Sequence, residues 1–123
     1  MSGLKSHKTD ILELDQQLNE MILGGRALEA FERFYDENII MQENDSPPTI
    51  GKDANRVREW EFMDSITEFR GAEVLSSGAN GQITFSHWKY DFTHKEWGER
   101  NYRQVAVRTW KNGKIVNEVF HYG

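Results

Sequence analysis

Cysteine is absent from the chain, which excludes disulfides, thiolate metal sites and cysteine nucleophiles. Proline is nearly absent, and both copies stand together as Pro47-Pro48, so the backbone break they impose falls at one point. No apolar run approaches the roughly 20 residues that a membrane-spanning helix needs. Positive charge is in deficit: 15 Lys and Arg face 20 Asp and Glu, a formal net charge of −5. Such a surface argues against nucleic acid and anionic membrane as partners. The first apolar residues lie among Lys5, Lys8, Asp10 and Glu13, unlike a secretory leader, so a cytoplasmic protein is expected. No phosphate-binding glycine loop, nucleophile elbow or dinucleotide fingerprint is present. His7, His87, His94 and His121 lack ligand spacing, so neither a metal nor a cofactor is expected.

Aromatic residues are plentiful, at 12% of the chain, and they crowd its second half, as suits a sheet or a lined pocket. Residues 1–8 are polar and read as a loose segment ahead of a single domain over 9–123. Thr9 or Asp10 can cap a first helix, in which Ile11, Leu14, Leu18, Met21 and Ile22 recur at helical spacing until Gly24-Gly25. A second helix is predicted from Arg26 to Asp36, with Ala27, Leu28, Phe31, Phe34 and Tyr35 as its apolar stripe. A short β-prone run, Asn38 to Gln42, precedes the Asn-Asp-Ser-Pro-Pro turn. A third helix is predicted from Gly51 to Ser65, with Val57, Trp60 and Met63 as its apolar members. Strands follow within Phe69–Ser77 and over Gln82–Thr93, Asn101–Lys111 and Lys114–Tyr122. Helices followed by a meander imply α+β, with the helices laid on one sheet face.

Asn112-Gly113 is a type I′ hairpin signal and sets a register between the last two strands. Extended without interruption, it places Val105, Val107, Thr109, Val116, Glu118, Phe120 and Tyr122 on one face. Gln104, Ala106, Arg108, Trp110, Ile115 and His121 fall on the other. The first face, apolar with one carboxylate, is assigned to the core.

Three stretches in this order resemble the SnoaL-like branch of the nuclear transport factor 2-like superfamily. They are Phe34-Tyr35-Asp36-Glu37-Asn38-Ile39-Ile40-Met41-Gln42-Glu43-Asn44 leading into Pro47-Pro48-Thr49-Ile50-Gly51-Lys52, then Gln104 to Trp110, then Gly113-Lys114-Ile115-Val116 followed by a Glu and aromatics. The resemblance implies a cone-shaped half-barrel, a curved and mainly antiparallel sheet whose three N-terminal helices enclose a pocket. It also implies a homodimer formed through the outer sheet face.

Each chemistry of the superfamily is incompletely furnished here. Glu43 matches the position of a ketosteroid isomerase-like base, but the first helix has no Tyr. Glu118 lies two residues before the place of a cyclase acid. The uninterrupted register turns His121 away from the pocket, and no acid–arginine–acid set of the epoxide hydrolase kind assembles on the inner faces.

The candidate proton carriers are therefore Glu118, desolvated among Val107, Val116 and Phe120, and Glu43 beside the Pro-Pro loop. Tyr35, Trp60, Glu61, Trp88, Tyr90, Phe92, Val105, Val107 and Phe120 are the expected pocket lining. Two functions fit: acid/base catalysis of isomerase, cyclase or dehydratase type on a small apolar organic molecule, or carriage or sensing of that molecule without turnover. A protein-interaction module using the outer sheet is a third.

Overall fold

The computed structural model describes residues 10–123, so the loose segment expected over 1–8 lies outside the described residues. Three helices and six strands appear among them: α1 (Ile11–Leu23), α2 (Ala27–Phe34), β1 (Tyr35–Glu43), β2 (Thr49–Ile50), α3 (Lys52–Asp64), β3 (Ile66–Asn80), β4 (Ile83–His94), β5 (Gly98–Lys111) and β6 (Lys114–Tyr122). The strands form one sheet in the order β2-β1-β6-β5-β4-β3. Every neighbouring pair is antiparallel except β1 and β6. No helix among the described residues is long and apolar enough to cross a membrane.

Local chemistry sets the helix ends. Asp10 caps α1 by accepting from the Leu12 and Glu13 amides at 3.1 and 3.2 Å. Asp10→Ala should cost about 1 kcal/mol of stability, read as a lower urea midpoint. At the other end Gly25 adopts φ +80°, and the Arg26 amide reaches back to the Met21 carbonyl at 2.8 Å, a Schellman-type close. The second helix stops two residues before its expected end. Tyr35 is already extended (φ −98°, ψ 136°), and it starts a nine-residue strand rather than finishing the apolar stripe. The Ile39–Met41 run captures the preceding residues for the sheet, an override of helix propensity by strand pairing.

The hairpin turn forms with positive φ at Asn112 (53°) and Gly113 (77°), and it pairs Trp110 with Ile115 as expected. One step further the register shifts. Thr109 pairs with Asn117, leaving Val116 as the extra residue of a β-bulge. Arg108 then faces Glu118, and Ala106 faces Phe120. The bulge overturns the expected face of β5 while leaving Glu118, Phe120 and Tyr122 inside. Gln104, Ala106, Arg108 and Trp110 are buried and point to the helices, whereas Val105 and Val107 lie on the outer face.

The core is one cluster in which Leu18 and Met21 of α1 meet Ala30, Phe31 and Phe34 of α2 and Trp110 and Ile115 of the sheet. Phe34 meets Trp110 edge-on at 6.2 Å. This packing fills the end of the cone near the hairpin turn. Ring-bearing rows of β4 and β5 continue past it, and they line an open space.

Candidate functional site

That space is a cavity of about 1000 Å³ between α3 and the inner sheet face, with the ends of α1 and α2 at its side. The register stacks its sheet wall in rows: Thr84, Arg108 and Glu118, then Ser86, Ala106 and Phe120, then Trp88, Gln104 and Tyr122, then Tyr90 with Tyr102, then Phe92 with Arg100. Aromatic contacts link these rows. Trp88 stacks on Tyr90 at 5.3 Å, Tyr90 meets Tyr102 at 5.7 Å, and Phe92 meets Tyr102 edge-on at 6.0 Å. Phe62 of α3 closes on Phe92 at 5.6 Å from the helix side.

A chain of buried polar groups underlies the innermost row. Arg108 donates to Glu118 Oε2 at 2.7 Å, to Asp15 Oδ1 at 2.7 Å and to Asn19 Oδ1 at 2.8 Å. Tyr35 donates its hydroxyl to Glu118 Oε1 at 2.6 Å. Thr84 and Ser86 donate to Asp15 at 2.8 and 2.7 Å, and the Trp110 indole donates to Thr84 at 2.8 Å. Asp15 and Glu118 are fully enclosed and Arg108 nearly so. Burial opposes the Arg108 charge, but the carboxylates of Glu118 and Asp15 outweigh it and hold its pKa above the ordinary value. Burial, then the Glu118 charge, keeps the Tyr35 hydroxyl protonated well beyond its usual range. An acid–arginine–acid set therefore does assemble on the inner face, contrary to the sequence expectation. It does so because the bulge turns Arg108 inward and α1 supplies Asp15.

Each sequence candidate has a definite place. Glu118 reaches the cavity wall, but both of its oxygens are occupied as acceptors. Glu43, at the end of β1, lines the cavity and accepts from Arg58 and from the Tyr122 hydroxyl. That engagement, after burial, pushes Tyr122 up to about 12. Tyr35, Tyr90, Phe92 and Phe120 lie along the wall, and Glu61 stands at the exposed rim. Trp88 is enclosed behind Tyr90, and its indole N–H has no partner among the described residues. Val105 and Val107 are on the opposite sheet face. Trp60 points away from the cavity and is 58% exposed, as is Val57 at 57%.

α3 turns toward the cavity the stripe that sequence reasoning passed over. Asn55 is buried, and Glu59 and Phe62 follow it at spacings of four and three, so all three line the cavity. The sequence names Val57, Trp60 and Met63 as the apolar members of this helix, with Trp60 and Glu61 expected at the pocket. Val57 and Trp60 are turned to solvent, whereas Met63 lies at the cavity rim, so the inward side of the helix combines Asn55 and Glu59 with Phe62. The only hint in the sequence was the Asn55–Glu59–Phe62 spacing itself.

Glu59 is the group with the clearest electrostatic signature. Burial, followed by the charge of Glu118, pushes its carboxyl up to about 7, with Arg58 opposing and Glu43 reinforcing. No hydrogen bond from a described residue contributes. Its residual exposure is to the cavity it lines. A carboxyl poised near neutrality beside aromatic walls can take up and return a proton. Among the described residues no cluster of His, Asp and Glu is placed to hold a metal ion.

Three helices laid on an open, mostly antiparallel six-stranded sheet around such a cavity define an α+β cone of the nuclear transport factor 2-like class. The chain belongs to the SnoaL-like domain family, which it matches over residues 10–122. It is similar to a candidate SnoaL-like polyketide cyclase from Mesorhizobium loti, with 28% identity over 93% of this chain and 100% of that one, at a TM-score of 0.83. A candidate polyketide cyclase from Xanthomonas campestris pv. campestris shares 20% identity over 91% of this chain and 89% of that one, at a TM-score of 0.77. An NTF2-like protein of unknown function from Burkholderia pseudomallei shares 14% identity over 94% and 92%, at 0.75. Curated proteins give no sequence match.

Proposed function

We propose that the chain binds a small, largely apolar organic molecule in its cavity and moves a proton on it, with Glu59 as the acid/base. The observation that carries this reading is the Glu59 carboxyl, which faces the ring-lined cavity with no hydrogen bond from a described residue and which burial pushes up to about 7. Glu118 and Glu43, whose oxygens are already engaged, take supporting roles. Glu118 fixes Tyr35 and Arg108, and Glu43 fixes Arg58 and Tyr122.

In the proposed step the Glu59 carboxylate removes a proton from carbon beside a ketone; the C–H electron pair forms a carbon–carbon double bond, and the carbonyl π pair moves onto oxygen to give an enolate. In an isomerisation Glu59 returns that proton to another carbon. In a cyclisation the enolate carbon bonds to a second carbonyl carbon within the same molecule, and the oxygen of that carbonyl takes the proton. Two structural neighbours described as candidate polyketide cyclases support the cyclase form. The apolar outer face around Phe85, Val105 and Val107 offers surface for the second copy proposed from the family resemblance.

The test is deuterium exchange at the α-carbons of 2-tetralone in D₂O, followed by proton NMR. The wild-type chain should accelerate exchange, and Glu59→Gln should remove about 100-fold or more of that acceleration. A second reading, carriage without turnover, is favoured by the full engagement of Glu118 and Glu43. Saturable binding of 2-tetralone with no accelerated exchange would select it.

A further inference from the structure

Three arginines line the cavity, and their partners differ. Arg108 has Asp15 and Glu118, and Arg58 has Glu43. Arg100 pairs with no carboxylate among the described residues. Its row partner on β4 is Phe92, which faces inward, so the Arg100 side chain lies on the inner face toward the wide end of the cavity. Two rings hold its guanidinium: it sits 5.1 Å from the Tyr102 ring centre and 5.9 Å from that of Trp97. Trp97 is itself fixed, stacked on the buried His94 ring at 3.7 Å and 9°, and the His94 Nδ1 accepts from the Glu96 and Trp97 amides. Arg100 is thus a half-buried cation held in place before any anion arrives.

We propose that Arg100 receives the carboxylate of the ligand, so that the molecule bound here is an apolar organic acid. Its hydrocarbon or aromatic body occupies the space between Phe62 and the Tyr90–Tyr102 row, and its acid group stays at the rim. The planar guanidinium forks onto a carboxylate through two parallel N–H donors, while the rings pin its orientation and reduce the entropy lost on binding. The rim also carries Glu61, Asp64 and Glu96. Their charge discriminates against a dianionic phosphate and in favour of a single negative charge at the arginine. This inference rests on the reading of the cavity as a ligand site, and it names the substrate class without depending on Glu59.

The experiment compares 2-naphthylacetate with its neutral amide, 2-naphthylacetamide, by NMR titration of the wild-type chain, Arg100→Gln and Arg100→Lys. The wild type should prefer the acetate by about 10-fold or more at low salt, and added NaCl should weaken acetate binding alone. Arg100→Gln should bring the ratio close to one. Arg100→Lys should restore part of it, since a lysine keeps the charge and loses the fork. In the wild type, acetate and not amide should shift the Arg100 Nε–H resonance. Equal affinity of the wild type for both probes overturns the proposal, as does a preference that survives Arg100→Gln, or failure of both probes to bind. Glu59→Gln, titrated in parallel, keeps the two readings apart. A carboxylate preference without Glu59-dependent exchange of 2-tetralone removes only the proton-transfer reading. Exchange without carboxylate preference removes only this one.

Discussion

Arg108→Met should lower the stability of the fold by about 3–5 kcal/mol. The reason lies in what remains. Asp15 and Glu118 are fully enclosed, and each accepts from Arg108 at 2.7 Å. Removing the guanidinium leaves two carboxylates without their counter-charge in a site that water cannot reach freely. It also takes away the donor that Asn19 accepts from at 2.8 Å. Methionine restores most of the volume, so the loss reads electrostatics rather than a void. Arg108→Lys should recover part of it, because the ammonium keeps the charge but cannot span both acids. Urea denaturation of the three proteins at neutral pH is the measurement. A midpoint for Arg108→Met within experimental scatter of the wild type would mean that the two acids are not enclosed as described. Glu118→Gln should also destabilise the protein, because the amide removes one of the two charges that balance the arginine.

The second large effect concerns pH. With the Glu59 carboxyl at about 7 in the folded chain and near 4.5 when exposed, 2-tetralone exchange should rise as pH climbs from 5 and level off above about 7. Glu59→Gln should give a low, flat profile over the same interval. Stability must move the opposite way. Between the two values the folded state holds the proton that the unfolded state has released, so stability falls as pH rises through this window. Below it both states are protonated and the penalty is absent; above it both are ionised and the penalty is complete. The difference in melting temperature, Glu59→Gln minus wild type, should therefore grow from pH 5 to pH 8. A constant difference would place the carboxyl in water-like surroundings and leave the proposed proton carrier without its basis.

The fold was readable from sequence to the extent that each segment's own chemistry decided it. Asp10, Gly25, the Pro-Pro break and the Asn-Gly turn are local signals, and each acts where the chain places it. Two non-local effects were not readable. The bulge at Val116 has no glycine to mark it, yet it reverses which residues of β5 meet the helices, exchanging Val105 and Val107 for Gln104 and Arg108. On α3 the apolar residues do not all turn inward: Trp60 and Val57 face out, while Phe62 shares the cavity side with Asn55 and Glu59. Both departures have one physical origin. A wall beside an open space is not a core, and polar side chains can occupy it when partners or a ligand satisfy them. Glu118 was located correctly by a register that was wrong for the strand beside it, because the bulge restores β6 to the expected alternation just before that residue.

The polar chain from Tyr35 through Glu118 and Arg108 to Asp15 ties a helix, three strands and the narrow end of the cone into one anchored foundation. Its consequence is a division of labour along the axis of the molecule. Robustness is concentrated at the closed end of the cavity, so less enclosed residues around the opening, such as Trp97 and Arg100, should be exchangeable with less effect on whether the chain folds. A scaffold of this kind can be re-lined at one end to admit different guests while its other end keeps the same shape.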